Sequence, residues 1–340
     1  MRHVNIPVFI PHLGCPNQCV FCNQRFISGV REFDPEELSS IIESSLSTVS
    51  SDDFVEIAFF GGSFTGIDKS LMIKLLEIAY SYVERGQVKS IRCSTRPDYI
   101  NEEIIGILKK YRVNVVELGL QSVSEDVLLK TKRNHTFSQE KEACRLITEA
   151  GISLVGQMMI GLPSSTLEDE IKTAEFIINS GACAARVYPT VVFKETELFY
   201  MAKEGVYQPL SLEDAVFRSA KIVEILRNAG VQVIRVGLCS SDNLSSESSY
   251  FAGPNHPALG ELVENRIYFD RISEKAKELT LDENTVICVN VPPASLSKAI
   301  GQKKCNKSLL INSLGIKDAV FMESSSLKDY EILVTVRKDK

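Results

Sequence analysis

Apolar, strand-like runs alternate with amphipathic helical patterns through the first two thirds of the chain. That alternation limits the fold more than any other feature. Strands are expected at Val4–Pro11, Val55–Phe60, Ser90–Thr95, Asn114–Leu120, Ser153–Ile160 and Ala185–Val192. Helices are expected at Asp34–Val49, Asp68–Glu84, Asn101–Lys110, Ser124–Lys130, Ser138–Ala150 and Leu167–Ser180. Asp34 reads as an N-cap, with Pro35 at the first helical position, where its fixed φ and missing N–H do no harm. Strands that are apolar on both sides and separated by helices belong to a parallel sheet with both faces covered. Right-handed crossovers then wrap the strands in one direction. The expected fold class is α/β, a partial (β/α)6 TIM-like barrel, whose chemistry gathers at the carboxyl ends of the strands.

The unusual residues fall at those ends. Cysteines follow strand one, Gly61-Gly62-Ser63 follows strand two, Arg96 follows strand three, Gln121 follows strand four and Gly161-Leu162-Pro163 follows strand five. The cysteines are the sharpest signal. Cys15, Cys19 and Cys22 form C-x3-C-x2-C. Thiolates so close in sequence can hold a soft metal centre in one loop, and three is one short of the usual four ligands. An iron–sulfur cube held by three cysteines keeps one iron open to a small molecule. Two alternatives remain: a zinc site completed by His12, and structural or redox thiols.

Composition removes several classes. The chain has 340 residues, 44% hydrophobic and 24% charged, which suits a globular protein of one large domain and a smaller one. No apolar run approaches the roughly 20 residues needed to cross a bilayer. The N-terminus reads as a first strand rather than a signal peptide, so the expected compartment is the reducing cytoplasm. Nine cysteines is an odd number, which also argues against a disulfide framework. Cys93, Cys144, Cys183, Cys239, Cys288 and Cys305 stand singly and read as small buried hydrophobes. A formal charge of −6 argues against coating nucleic acid by bulk charge, and no DNA partner or membrane is expected.

Beyond the sixth strand, a helix (Leu212–Ala229) and a strand (Val231–Val236) are expected, followed by the polar run Ser240–Ser249 and the turn-rich Gly253-Pro-Asn-His-Pro257. His256 there reads as a turn-stabilising histidine, with a substrate-side role the less favoured alternative. The domains expected are a core barrel over 1–240, a loop-rich connector over 241–280 and a small α+β domain over 281–340. In the last, a strand at 285–292, two short helices joined by Gly301-Gln-Lys-Lys304, and two more strands resemble a KH-type RNA-binding module. The second glycine of the GXXG loop is replaced by Lys304. Lys298, Lys303, Lys304 and Lys307 surround the loop and are candidate phosphate contacts, the alternative being a solvated helix face.

The cysteine run, with Phe21 before the last thiol, and the other strand ends together resemble the radical S-adenosylmethionine (SAM) superfamily. Within it the likeness is to catalytic subunits of the Elongator complex. It is carried by FFGGSFTG (59–66), STRPD (94–98), VELGLQSVSEDVLLKTKRNHT (116–136), GQMMIGLP (156–163) and VYPTVVFKETELFYMAKEGVYQP (187–209). Oxygen-independent coproporphyrinogen oxidases share part of the pattern. The resemblance implies a [4Fe–4S] cluster held by Cys15, Cys19 and Cys22, with SAM on the open iron. An electron would cleave SAM to methionine and a 5′-deoxyadenosyl radical. Gly61, Gly62 and Ser63 would meet the methionine end of SAM, Gln121 and Gln157 its ribose, and Arg133 its carboxylate. An electron donor of flavodoxin or ferredoxin type is implied, and tRNA is a candidate substrate. A tetrapyrrole-type small molecule and a non-enzymatic metal- or RNA-binding role are the alternatives. Ser94 stands where a glutamate is usual, and the first cysteine gap is narrower than in Elongator subunits. No acetyltransferase-like stretch follows in these 340 residues, so acetyl transfer is not an expectation.

Overall fold

The computed structural model describes residues 2–10, 15, 19–22, 33–238 and 249–337. The alternation seen in sequence becomes one parallel sheet of seven strands in the order β1-β2-β3-β4-β5-β6-β8. These are β1 (His3–Ile10), β2 (Phe54–Gly61), β3 (Ser90–Thr95), β4 (Val113–Gln121), β5 (Ser153–Ile160), β6 (Ala184–Pro189) and β8 (Gln232–Val236). The sheet curls into part of a barrel, as expected. The expected six strands are joined by a seventh, because Gln232–Val236 pairs in parallel with β6. The expected sixth strand is also shorter: Val192–Phe193 leaves the sheet as β7 and pairs antiparallel with β9 (Tyr250–Ala252).

The helices are α1 (Leu38–Leu46), α2 (Lys69–Glu84), α3 (Glu102–Lys110), α4 (Glu125–Lys130), α5 (Phe137–Glu149), α6 (Leu167–Asn179), α7 (Glu197–Lys203) and α8 (Leu212–Asn228). Their starts are written in the sequence. Asp68 accepts from the Leu71 N–H at 3.0 Å, and Asn101 accepts from the Ile104 N–H at 3.0 Å. Thr136 with Gln139, and Thr166 with Asp169, form reciprocal capping boxes. Asp34 caps as expected, but Pro35–Glu37 is a 3-10 turn and the α-helix begins at Leu38. On α2, Met72, Leu75, Leu76 and Ala79 repeat at helical spacing and are buried.

By its internal contacts the chain divides into two units, Met1–Ser211 with Ile225–Asn255, and Leu212–Glu224 with His256–Lys340. The second unit contains α9 (Leu259–Ala276), β10 (Val286–Val291), α10 (Leu296–Ile300), α11 (Cys305–Leu314), β11 (Asp318–Glu323) and β12 (Leu333–Val336). Central β10 pairs in parallel with β11 and antiparallel with β12. Tyr268, Ile272, Ile287, Val289, Val291, Leu310 and Val334 build its core. The stretch expected to be a loop-rich connector thus holds an 18-residue helix. Leu259, Val263 and Ile267 carry its period, which the turn formers just before it obscure. Most of the polar run Ser240–Ser249 lies outside the described residues. Cys93 and Cys144 are buried as expected, but Cys183 and Cys305 are exposed.

The end of β2 depends on glycine. Gly61 has φ +108°, and a Cβ there would sit 2.9 Å from the Ile10 carbonyl oxygen. Both the left-handed backbone and the close approach of β1 exclude a side chain. Gly61→Ala should cost roughly 1–3 kcal/mol. Urea unfolding followed by circular dichroism would measure it, and a change near zero would contradict the strain.

Candidate active site

Residues at or near the ends of β2, β3, β4 and β5 meet the cysteine loop at one cavity. Its walls include Cys15, Cys19, Phe21, Cys22, Gly61, Gly62, Ser63, Ser94, Thr95, Arg96, Gly119, Gln121, Arg133 and Gln157. Every residue expected at the metal or SAM site therefore lies on this cavity. The four lysines lie in the other unit. His256 caps its own turn, its Nδ1 accepting from the Ala258 N–H at 3.1 Å.

The cysteine segment is tied to unit 1 through Val20. The Val20 N–H donates to the Thr131 carbonyl at 3.2 Å, and the Leu198 N–H donates to the Val20 carbonyl at 2.8 Å. Val20 packs with Val192, Leu198 and Tyr207, flanked by Phe21 and Phe199. Cys22 folds back, its N–H donating to the Cys19 carbonyl at 3.0 Å. Cys15 Sγ lies 3.5 Å from Ser63 Oγ. The buried Cys19 sulfur takes hydrogen bonds from Arg133 Nη1 at 3.4 Å and Arg96 Nη1 at 3.7 Å. Arg96 is in turn held by a two-point fork on Asp98, at 2.9 and 3.0 Å, and also donates to the Arg133 carbonyl. Burial opposes the charge on Arg96, but the Asp98 carboxylate outweighs it and raises the pKa.

Behind the cavity, the inner face of the sheet is charged. Glu117 accepts from Arg186 Nε and Nη2 at 2.8 and 2.9 Å, from Arg92 Nη1 at 2.7 Å and from Gln157 Nε2 at 2.8 Å. Arg92 Nε also donates to Glu56 at 2.6 Å, and Ser90 Oγ donates to the same carboxylate at 2.6 Å. Burial alone would raise the Glu117 carboxyl; hydrogen bonds and charge from Arg186 and Arg92 prevail and hold it below the ordinary range. His135 and Glu140 form a second buried pair, with Nε2···Oε1 at 2.8 Å. Burial and then the Arg133 charge push His135 down to about 3, while burial raises Glu140 well above a normal carboxyl.

Several buried polar atoms at the cavity have no partner: Ser94 Oγ, Gln121 Oε1 and Arg133 Nε. Each such atom costs about 1–3 kcal/mol unless a ligand satisfies it. Gln121 itself has φ +70°, at an irregularity in the β4–β5 ladder. The residues fit a thiolate-held centre. Cys15, Cys19 and Cys22 all line one cavity, and two cationic donors face the buried Cys19 sulfur. Among the described residues no three His, Cys, Asp or Glu side chains converge as a single metal ion requires. His12 lies outside the described residues.

The radical SAM superfamily matches residues 9–177, and the radical SAM C-terminal domain matches residues 183–268. The chain belongs to the radical SAM superfamily, whose members are enzymes that use a [4Fe–4S] cluster and SAM. About half of it is homologous to the radical SAM region of Elongator complex protein 3 and tRNA uridine(34) acetyltransferases. Elongator complex protein 3 of Homo sapiens is 32% identical over 194 residues, covering 51% of this chain and 36% of the relative. The tRNA uridine(34) acetyltransferase of Methanocaldococcus infernus is 27% identical over 184 residues, covering 48% of this chain and 34% of the relative. The chain thus spans about a third of the length of these curated relatives. The structure of archaeal Methanocaldococcus infernus Elp3 with an N-terminal deletion superposes with TM-score 0.62 at 21% identity, over 83% of this chain and 66% of that one. Streptococcus suis SuiB bound to S-adenosylmethionine gives 0.51 at 12% identity, over 72% and 49%. These two likenesses show the fold. Among the described residues no helix is long and apolar enough to cross a membrane.

Sequence reasoning marked Arg96 only as a strand-end residue and missed both its reach to Cys19 and the Glu117 network. Alternation along the strands could have found the network. Glu117 lies two residues before the cavity residue Gly119, on the same face of β4.

The Glu117 network sets a pH dependence. A carboxyl with a lowered folded pKa binds fewer protons when folded, so its contribution is complete above roughly pH 4.3. It is lost as pH falls through the lowered folded value. Glu117→Ala should cost about 3–5 kcal/mol at pH 7, because two buried guanidinium groups lose their shared partner. The gap to wild type should narrow on acidification. Thermal unfolding from pH 7 to pH 3 tests this, and a constant gap would contradict it.

Proposed function

We propose that the chain is a radical SAM enzyme that reductively cleaves SAM at a [4Fe–4S] cluster and acts on RNA, with tRNA as the substrate class. Cys15, Cys19 and Cys22 hold the cluster. When bound, the cluster supplies the electron that splits SAM into methionine and a 5′-deoxyadenosyl radical. The observation that carries the reading is the polarity of the open groups on the cavity. Gln157 spends its Nε2 on Glu117 and so presents Oε1, and Gln121 Oε1 is unpartnered. Two amide oxygens are what ribose hydroxyls need as acceptors. Arg133 Nε is an unpartnered donor, suited to a carboxylate. The Gly62 N–H is used on the Ile10 carbonyl at 2.9 Å, so its free backbone group is a carbonyl, the polarity an ammonium group needs. Ser63, at Cys15, closes that side. A flavodoxin or ferredoxin in a reducing cytoplasm would provide the electron.

The RNA part rests on homologues that modify tRNA and on the second unit. Its strand, helix pair with a glycine-led loop, and two strands follow the order expected of a KH-like module. Lys298 pairs with Glu264 at 3.8 Å and Lys307 with Asp318 at 2.9 Å. Lys303 and Lys304 are exposed in the loop itself, both with left-handed backbone, φ +52° and +64°. They are the two cations of the cluster best suited to phosphate, and such contacts give salt-dependent, sequence-tolerant affinity.

Anaerobic reconstitution should yield a brown protein with about four irons per chain that releases 5′-deoxyadenosine from SAM. Cys19→Ala should keep the circular dichroism of the wild type and lose both iron and cleavage. Retained deoxyadenosine formation by that variant would reject the ligand assignment. A colourless zinc protein would reject the enzyme reading.

Charge reversal tests the substrate class. Lys303→Glu with Lys304→Glu should weaken tRNA binding at least tenfold and flatten its salt dependence by about two phosphate contacts, read by filter binding across a salt series. Unchanged binding, or turnover stimulated by a tetrapyrrole and not by RNA, would redirect the proposal to a small molecule.

A further inference from the structure

Arg96 has no place in the cofactor contacts above, yet it is 4% exposed and aimed at the cavity. Its guanidinium is fixed on three sides. The Asp98 carboxylate grips Nε and Nη2 as a fork, the Arg133 carbonyl takes a second bond from Nη2, and Nη1 is left facing Cys19 Sγ at 3.7 Å. Arg133 reaches the same sulfur from its own side at 3.4 Å, with Nη2 anchored on the Gly119 carbonyl. Cys19 is 7% exposed, whereas Cys15 and Cys22 are both more open. The three thiols are therefore unequal: one is buried and faces two fixed positive donors.

We infer that Arg96, oriented by Asp98, and Arg133 form a two-guanidinium cradle that draws electron density from the Cys19 sulfur and raises the reduction potential of the centre the cysteines hold. The inference rests on the reading of Cys19 as a cluster ligand. Hydrogen bonds to ligand sulfurs, burial and local charge are the protein's levers on such a potential. Reduction adds negative charge to the centre. A fixed cation beside one sulfur favours that state, and burial strengthens the effect by removing water that would screen it. The Asp98 fork matters for a second reason. A lysine in place of Arg96 would carry the charge but could not fill the fork and face the sulfur together. Asp98 is thus a positioning residue that acts through Arg96.

The test compares wild type, Arg96→Met and Asp98→Glu, each reconstituted anaerobically and kept free of SAM. Iron and sulfide per chain establish loading, and an electrochemical titration followed by electron paramagnetic resonance gives the midpoint. Arg96→Met should lower the reduced fraction at fixed poise about tenfold, which is ~59 mV for one electron. Asp98→Glu should move it in the same direction by less, because both charges remain while the fork is displaced. Loaded Arg96→Met with the wild-type midpoint would overturn the inference. Should Arg96→Met fail to fold or load, Asp98→Glu decides alone, and an unchanged midpoint in that variant overturns the inference. A wild type that assembles no cluster instead removes the reading beneath it, a result that iron content separates from the others.

Discussion

One carboxylate, that of Glu117, organises the inner face of the sheet. It is 1% exposed and faces Arg92 on β3, Gln157 on β5 and Arg186 on β6. A buried ion pair gives little net stability, because desolvating the charges cancels most of the attraction. Its effect here is on arrangement. Each partner comes from a different strand, so the register of β3 to β6 must be right before any of these charges is satisfied. The network also turns Gln157 so that its amide nitrogen is used up and its oxygen is available at the cavity. The same group that limits how the strands align thereby sets the polarity of the site above it.

The cysteine loop has a different kind of support. Val20, between the thiols, is bonded through its backbone to Thr131 and Leu198 and packs in a small apolar cluster of its own. Thr131 stands two residues before Arg133, and Leu198 follows β7. Anchoring the loop to the segment that carries Arg133 couples the positions of Cys19 and its cationic neighbour. The cationic character at Cys19 comes from the two arginines, with Asp98 balancing one of them.

The fold was legible wherever local chemistry agreed with tertiary need. Most strands, the Asp34 cap and the grouping of the cysteines, Gly61 and Gln121 at strand ends followed from patterns within a few residues, whereas Arg133 and Gln157 followed from the family resemblance. What was missed is non-local. Strand Gln232–Val236 was expected, but its pairing beside β6 depends on a partner more than forty residues away. Val192–Phe193 continues an apolar run, so nothing local marks its departure from the sheet. Helix Leu259–Ala276 was hidden by the prolines before it. Arg96 could be placed at a strand end, but its aim at Cys19 depends on Asp98 and on a carbonyl 37 residues along the chain.

Charge is where sequence-level reasoning and geometry bear on each other most closely. The chain's net charge of −6 disfavours association with a polyanion at long range. Beyond a Debye length of about 8 Å at physiological salt, that field is largely screened. Contact is then decided by the few groups near the backbone phosphates. In the second unit two of the four clustered lysines are paired with Glu264 and Asp318, which halves what the sequence alone suggested. On the proposed function, two loop cations on an acidic protein would provide modest, salt-sensitive binding. On the proposed function, such affinity suits release after a single modification better than long retention. Most of the selectivity would then fall to whatever base can approach the cavity at the strand ends, where the polar groups are already committed to the cofactor.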